Sequence, residues 1–231
     1  MYQSQFIKQI FEFAKWETAE GRFEKIQRKY YPELDLKKQY NARDIIDTLR
    51  FSERRSLFQQ SMDELQEDRL FVSSVHGEAH ILRVCILCFF LAEKLGIDDE
   101  EFRDVLETAK YHDIGRINDK ADRQHGPRGA ELMSRMDFPA GREKLKVYQA
   151  VIAAHSLGDE AFEEEWEKWG NSVREIDRGR NLLEILKDAD ALDRFRLRDQ
   201  SLRLSFLNKR ISHQMVQGAY ELVHFFTGCG S

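Results

Sequence analysis

Little in this chain interrupts a helix. Only 3 of its 231 residues are proline, and no low-complexity tract or internal repeat divides it. Cysteine is scarce and odd in number, 3 in all, so there is no disulfide framework and a reducing compartment is expected. Long apolar runs are missing too: the longest, Val84 to Ala92, falls well short of the roughly 20 residues a bilayer demands. The opening stretch MYQSQFIKQIFEFAKWE is charged and has neither the clean apolar core nor the cleavage site of a signal peptide. Nor is there an excess of basic charge. With 36 Lys and Arg against 41 Asp and Glu the net charge is -5, which disfavours broad nucleic-acid binding and leaves room for a small nucleotide in a local basic pocket. These absences lead to the expectation of a cytoplasmic protein with no membrane partner, built as one domain or one domain with an appendage.

What is present is helical spacing. Apolar residues recur three and four apart in almost every segment, and no period-2 strand pattern stands out, so the expected fold class is all-α. Phe6, Ile10, Phe13 and Ala14 begin one helix, and Pro32 and the polar stretch after it break the pattern. Ile45, Ile46, Leu49 and Phe51 resume it, followed by a more polar helix with Leu57, Met62 and Leu65. Residues 1–70 thus read as a helical N-terminal appendage and residues 71–231 as the main domain with its C-terminal helices. In the main domain Ser73-Ser74 marks a helix start, and Val84, Leu87, Cys88 and Leu91 form a stripe that ends at Gly96. Asp98 and Asp99 open the next helix, which carries Phe102, Val105, Leu106 and Ala109 into His112-Asp113. The polar loop GRINDKADRQHGPRG follows, a usual setting for binding residues. Pro127 suits the first turn of a short helix ending near Met136. Further helices are expected from Glu143 to His155, Phe162 to Trp169, Asn181 to Arg196 and, with a break, Leu202 to Phe226.

The placement of the 7 histidines points to chemistry. His213 and His224 lie near the C-terminus, and the other five are His112 itself and the four that flank His112-Asp113 in the sequence, His76, His80, His125 and His155. His80 shares a face with Val84, Leu87 and Leu91, so its ring points into the protein. His112 and Asp113 close a helix after Val105 and Ala109, and His155 extends the Tyr148, Val151, Ile152 stripe. A single histidine on an apolar face is an ordinary core residue. Three of them with an adjacent aspartate would each need a buried partner, and a shared metal supplies it. In LLEILKDADALDRF, placing Leu182, Leu186 and Ala189 inward at about 100° per residue turns Asp190 and Asp193 inward and Asp188 outward. Asp190 is then the expected ligand, Asp193 an acid behind the ligands or on the substrate side, and Asp188 a solvated residue.

The order H…HD…D, with HxxRV at His80-Ile81-Leu82-Arg83-Val84, YHDIGR and KDADALD at helical spacing, resembles the HD-domain superfamily of metal-dependent phosphohydrolases over roughly residues 74–200. Residues 1–70 match nothing comparable. The resemblance implies a helical-bundle HD domain and an enzyme. HGPRGAEL and VIAAHSLGD fall where many HD proteins carry two further histidines, which implies His125 and His155 in a binuclear version of the site. His80, His112, Asp113 and Asp190 would hold one divalent ion. With His125 and His155, and Asp113 as a bridge, the set would hold two, about 3.5–4 Å apart. Mixed imidazole and carboxylate ligands suit Fe or Mn, with Zn, Co and Ni also compatible. The implied reaction is hydrolysis of a phosphoester or phosphoanhydride bond in a small nucleotide-like substrate, with a metal-bound hydroxide as nucleophile. Arg116, three residues past Asp113, is the first candidate for the phosphate. Arg123, Arg128, Lys187 and Arg194 are further substrate-binding candidates, and Lys120 lies in the same loop. His76 or Asp193 would handle protons, although a structural capping role suits His76 equally.

Two other readings use the same ligands: a mixed-valent di-iron oxygenase that cleaves C–C or C–P bonds, and a nucleotide-sensing module whose N-terminal helices transmit a signal. A nuclease is a further variant, disfavoured by the acidic balance. HGEAH resembles a zincin helix, but Gly77 stands where that motif needs glutamate, which excludes a metalloprotease of that type. Cys85 and Cys88, inside an apolar stripe with no second pair, read as buried thiols, and Cys229 as exposed. Phe89-Phe90 and Phe225-Phe226 read as core or as a subunit contact, which leaves a homo-oligomer open. FEEEWEKWG reads as a solvated helix with its tryptophans on one side.

Overall fold

A computed structural model describes residues 22–136 and 141–228, with side chains as far as residue 225. The described residues contain ten α-helices and no strand, so the fold is all-α. The helix expected from Phe6 to Ala14, and Phe226 and Cys229 as side chains, lie outside the described residues.

The helices are α1 (Arg22–Tyr30), α2 (Ala42–Phe51), α3 (Arg55–Asp63), α4 (Glu78–Leu95), α5 (Asp99–Tyr111), α6 (His125–Met133), α7 (Gly141–His155), α8 (Phe162–Lys168), α9 (Ile176–Leu192) and α10 (Val216–Gly228). The expected stripe on α4 is in fact buriedness all round, since every residue from Ile81 to Ala92 is buried. The reason is that α4 is central. It packs against α5 and α9, and α2 and α10 cover its remaining surface. Such a helix needs sharp ends. Gly96 closes α4 in the left-handed conformation at φ 65°. Asp98 then opens α5 by accepting from the amides of Glu100 and Glu101.

Residues 22–70 pack into the same core as the rest. Ile45, Leu49 and Phe58 are fully buried beside residues of α4 and α5. Polar contacts fix the join. Glu221 on α10 accepts from the Ala42 amide at 2.8 Å, the Tyr31 hydroxyl donates to the Asp199 carbonyl at 2.7 Å, and the buried Lys110 ammonium donates to the Ser61 carbonyl at 3.1 Å while pairing with Glu107.

Three local expectations need correction. The helix does not start at Ser73-Ser74: the Ser73 hydroxyl accepts from the amides of Val75 and His76 in a turn, and α4 begins only after Gly77. Asp188 is not solvated but fully buried. Its carboxylate accepts from the amides of Asn208 and Lys209, the Asn208 side chain and the Ser212 hydroxyl. The 204–214 segment forms 3-10 turns rather than the start of a long helix, and Asp188 is the acceptor that its amides need. Cys85, Cys88, Phe89 and Phe90 are core, as read. In α8 Trp166 is buried and donates to the Ser172 carbonyl, and most of the acids are exposed, whereas Glu165 is buried against Lys168 and Trp169.

Truncating Leu49 to alanine should cost about 2–5 kcal/mol, as for other large-to-small core changes, with urea unfolding still a single transition. A separate early transition in Leu49→Ala would show that residues 1–70 fold as an independent unit.

Candidate metal centre

The histidines and acids meet because helix ends meet. His80 is in the first turn of α4, His112 and Asp113 follow the last turn of α5, His125 opens α6, His155 closes α7, and Asp190 is in the last turn of α9. All but Asp190 are buried.

Two close approaches through glycine make this convergence possible. A Cβ on Gly115 would lie 2.0 Å from the His125 carbonyl oxygen, and one on Gly126 would lie 2.5 Å from that of Ile152. Those glycines let the 113–116 turn and α7 approach α6 from two sides, which brings His125 to both Asp113 and His155. The HG pair at the start of HGPRGAEL was the available signal for this.

The Asp113 carboxylate sits between two pairs of imidazoles. Its Oδ2 lies 3.4 Å from His80 Nε2 and 3.8 Å from His112 Nε2. Its Oδ1 lies 3.0 Å from His125 Nε2 and 3.9 Å from His155 Nε2. Asp190 Oδ1 joins the first pair at 3.5 Å from His80 Nε2. Within each pair the Nε2 atoms nearly touch, at 3.1 Å for His80–His112 and 2.9 Å for His125–His155.

The other ring nitrogens decide what those Nε2 atoms carry. His112 Nδ1 faces the Ala109 carbonyl at 2.8 Å, His155 Nδ1 the Ile152 carbonyl at 2.6 Å, His125 Nδ1 the Asp122 carbonyl, and His80 Nδ1 the Asp193 carboxylate at 2.7 Å. Each partner only accepts, so each Nδ1 holds a proton, and a ring in its neutral form presents its Nε2 lone pair inward. Burial and the adjacent imidazoles keep two rings neutral. His112 falls to about 4, and His155 lies well below the usual histidine range. Burial alone would raise Asp113, but the surrounding imidazoles outweigh it and hold the carboxyl well below its ordinary range. Burial would raise Asp190 as well, and Arg196 with His80 and His112 lowers it. Lone pairs and carboxylate oxygens facing one another this closely repel unless a cation lies among them. The donor set thus fits a divalent metal, in two overlapping groups: His80, His112 and Asp190, and His112, Asp113 and His155.

Carboxylates and arginines hold the centre from behind. Asp193 is fully buried. It accepts from His80 Nδ1, from Arg83 through Nε at 2.6 Å and Nη2 at 3.0 Å, and faces Arg196 at 3.5 Å. This engagement fits the acid behind the ligands. Arg116 Nε donates to Asp113 Oδ2 at 2.9 Å. His76 is buried, 5.9 Å from the His80 ring, with Nδ1 2.9 Å from Asp119 Oδ1, an atom that also accepts from Ser73. Burial lowers the His76 pKa, and Arg116 and Arg196 lower it further.

Three of the remaining candidates are engaged elsewhere. Arg128 pairs with Asp122 and donates to the Gly115 carbonyl, bracing the loop between Asp113 and His125. Lys187 binds Asp159 and the Leu157 carbonyl. Arg194 donates to the Ser201 carbonyl and lies over Phe206. Arg123 is exposed on the loop. Sequence reasoning gave no role to Arg83, Arg196 or Asp119. Arg83 had a signal, three residues past His80 on the same helix face.

The HD domain family model matches residues 77–194, just over half of the chain. The chain therefore belongs to the HD-domain family. Members bind divalent metals and are usually hydrolases of the metal-dependent phosphohydrolase superfamily. No curated protein and no solved structure matches it. Among the described residues no helix is long and apolar enough to cross a membrane.

Asp193 gives a pH test. Burial would raise its carboxyl, but Arg83 and the His80 hydrogen bond overcome that and bring it to about 2, below the roughly 3.9 of an unfolded chain. A depressed carboxyl stabilises the fold above its unfolded value and loses that contribution as pH falls through its folded one. Asp193→Asn should thus be less stable than the parent at pH 7, with the gap closing below about pH 4 in chemical denaturation of metal-free protein. A gap independent of pH would show that the charge is not what counts.

Proposed function

We propose that this protein is a metal-dependent phosphohydrolase that cleaves a phosphoester or phosphoanhydride bond in a small nucleotide-like substrate. The supporting observation is the single carboxylate, Asp113, offered to two pairs of inward-facing imidazole nitrogens. A bridging acid with two nitrogen pairs suits two divalent ions, of which Fe and Mn fit these ligands best. Such ions, when bound, supply Lewis-acid activation of the phosphoryl group and of an attacking water.

The residues of the chain do the rest. His80, His112 and Asp190 form one side of the cage and His125 and His155 the other, with the ring orientations fixed by the acceptors on Nδ1. Asp193 keeps the His80 proton on Nδ1 and so keeps its Nε2 free, a positioning role. His76, with Nδ1 tied to Asp119, would use Nε2 to orient a water and accept a proton from it. Arg116, beside Asp113, neutralises charge on a phosphoryl oxygen. A nucleotide-like substrate also fits an acidic protein that gathers positive charge only locally.

The test is metal content per chain by elemental analysis, after expression with Fe and Mn and purification without chelator. Two ions are expected, falling to one in His125→Ala or His155→Ala and to fewer still in Asp113→Ala, with loss of phosphatase activity in all three. One ion that is indifferent to His125 and His155 would make the site mononuclear. No ion under any loading, or O₂ uptake with an organic substrate in place of phosphate release, would defeat the proposal.

A further inference from the structure

Asp104 is a buried acid well away from the metal centre. It stands on α5 eight residues before His112, about 12 Å along the helix axis, and its side chain is 3% exposed. A carboxylate buried this far is costly unless donors meet it, and here they come from two other helices. On α7 the Tyr148 hydroxyl donates to Oδ1 at 2.7 Å, and the Lys144 ammonium donates to the same oxygen at 3.0 Å. On α9 the Arg178 guanidinium donates to Oδ2. Glu100, one turn earlier on α5, lies 3.2 Å from both Lys144 Nζ and Arg178 Nη2 and closes the cluster on its solvent side.

The three helices joined here are ones that carry ligands at or just past their C-terminal ends. α5 runs from Asp104 to His112 and Asp113, α7 from Lys144 and Tyr148 to His155, and α9 from Arg178 to Asp190. They pack against one another pairwise and, meeting at both the cluster and the metal centre, run in the same direction. Along the three axes the ligands stand about 10–18 Å beyond Asp104, Tyr148 and Arg178.

Apolar contacts are non-directional, and by themselves they discriminate weakly between small axial shifts of one helix against another. Hydrogen bonds do discriminate. A slide of one residue, about 1.5 Å, would break the contacts of Asp104 with α7 or α9, since a hydrogen bond needs about 2.7–3.2 Å. A metal site is stricter still, with ligand distances kept within about 0.2 Å. Tyr148 strengthens the constraint. Burial and the neighbouring Asp104 charge push its hydroxyl well above the ordinary tyrosine range, so it remains a donor.

We propose that Asp104 is a positioning residue for the metal centre: by holding α5, α7 and α9 in axial register, it sets where His112, Asp113, His155 and Asp190 stand relative to one another. It acts through the helices and not on the metal. The proposal rests on the reading of the centre as a metal site and is independent of the substrate.

The test compares full-length wild type, stripped of metal and reloaded with cobalt(II), with Asp104→Asn, Tyr148→Phe and Phe23→Ala. Phe23 is a buried contact between α1 and α10, its ring 5.4 Å from that of Tyr220, and neither helix bears a ligand. Its truncation is a core loss with no link to the register of α5, α7 and α9. Stability is measured by urea unfolding, and cobalt affinity by competition with a chromophoric chelator. The absorption bands of the bound cobalt are recorded where each variant is fully folded. Asp104→Asn should bind cobalt about tenfold more weakly, the lower end of the loss when support behind metal ligands is removed, and should shift the bands. Tyr148→Phe, which removes one donor, should move both in the same direction by less. Phe23→Ala should lose stability yet keep the wild-type affinity and bands. Wild-type affinity and bands in Asp104→Asn would overturn the proposal, leaving Asp104 a residue of stability alone. So would an equal change in Phe23→Ala, since any loss of stability would then suffice. If Asp104→Asn does not fold, Tyr148→Phe decides by the same measurements. The expected cobalt results in a protein that releases no phosphate from p-nitrophenyl phosphate or bis(p-nitrophenyl) phosphate would defeat the phosphohydrolase reading and support this one. A wild type that takes up no cobalt would overturn both.

Discussion

The structure turns on one buried carboxylate. Asp113 has no solvent to stabilise its charge, and its two oxygens face four imidazoles from four different helices. Burying a charge in this way is costly unless the surroundings are organised to receive it. Much of the local architecture does that: the ends of α4, α5, α6 and α7 all point at one carboxylate. Their backbone carbonyls, or Asp193 in the case of His80, take the far side of each ring. A metal would complete this arrangement rather than create it.

Behind the ligands lies a layer of opposite charge. Arg83 and Arg196 meet Asp193, and Arg196 and Arg116 each reach one of the ligand acids. The layer sets positive charge against buried acids, so that they can remain ionised away from solvent.

The N-terminal helices contribute at a distance. By covering α4, α2 allows a helix that is buried on every side through its middle. The first turn of α4 carries His80 and its last residue precedes the turn into α5, so the burial of its middle holds in register the two elements that present His80, His112 and Asp113. Residues 22–70 belong to the core that fixes the ligands.

Much of this was legible in order along the chain. Helical spacing and three prolines determine an all-α fold, because side-chain periodicity is a local property. The inward faces of His80, His112, His155 and Asp190 follow from the same periodicity, and the HD motifs carry the resemblance. What periodicity could not decide is what each inward face meets. Asp188 reads as solvated on an isolated helix and is buried because a segment some twenty residues later brings it unpaired amides. Lys187, Arg128 and Arg194 are basic residues near motifs whose charges are taken up by acids, carbonyls and a ring from elsewhere. Arg196 has no sequence signal that separates it from its neighbours, and its place beside Asp190 and Val75 exists only once α9 meets the start of α4. The sequence by itself determined which side chains turn inward. Tertiary structure alone decided which of them meet, because partners far apart in the chain are joined by packing that no local pattern encodes.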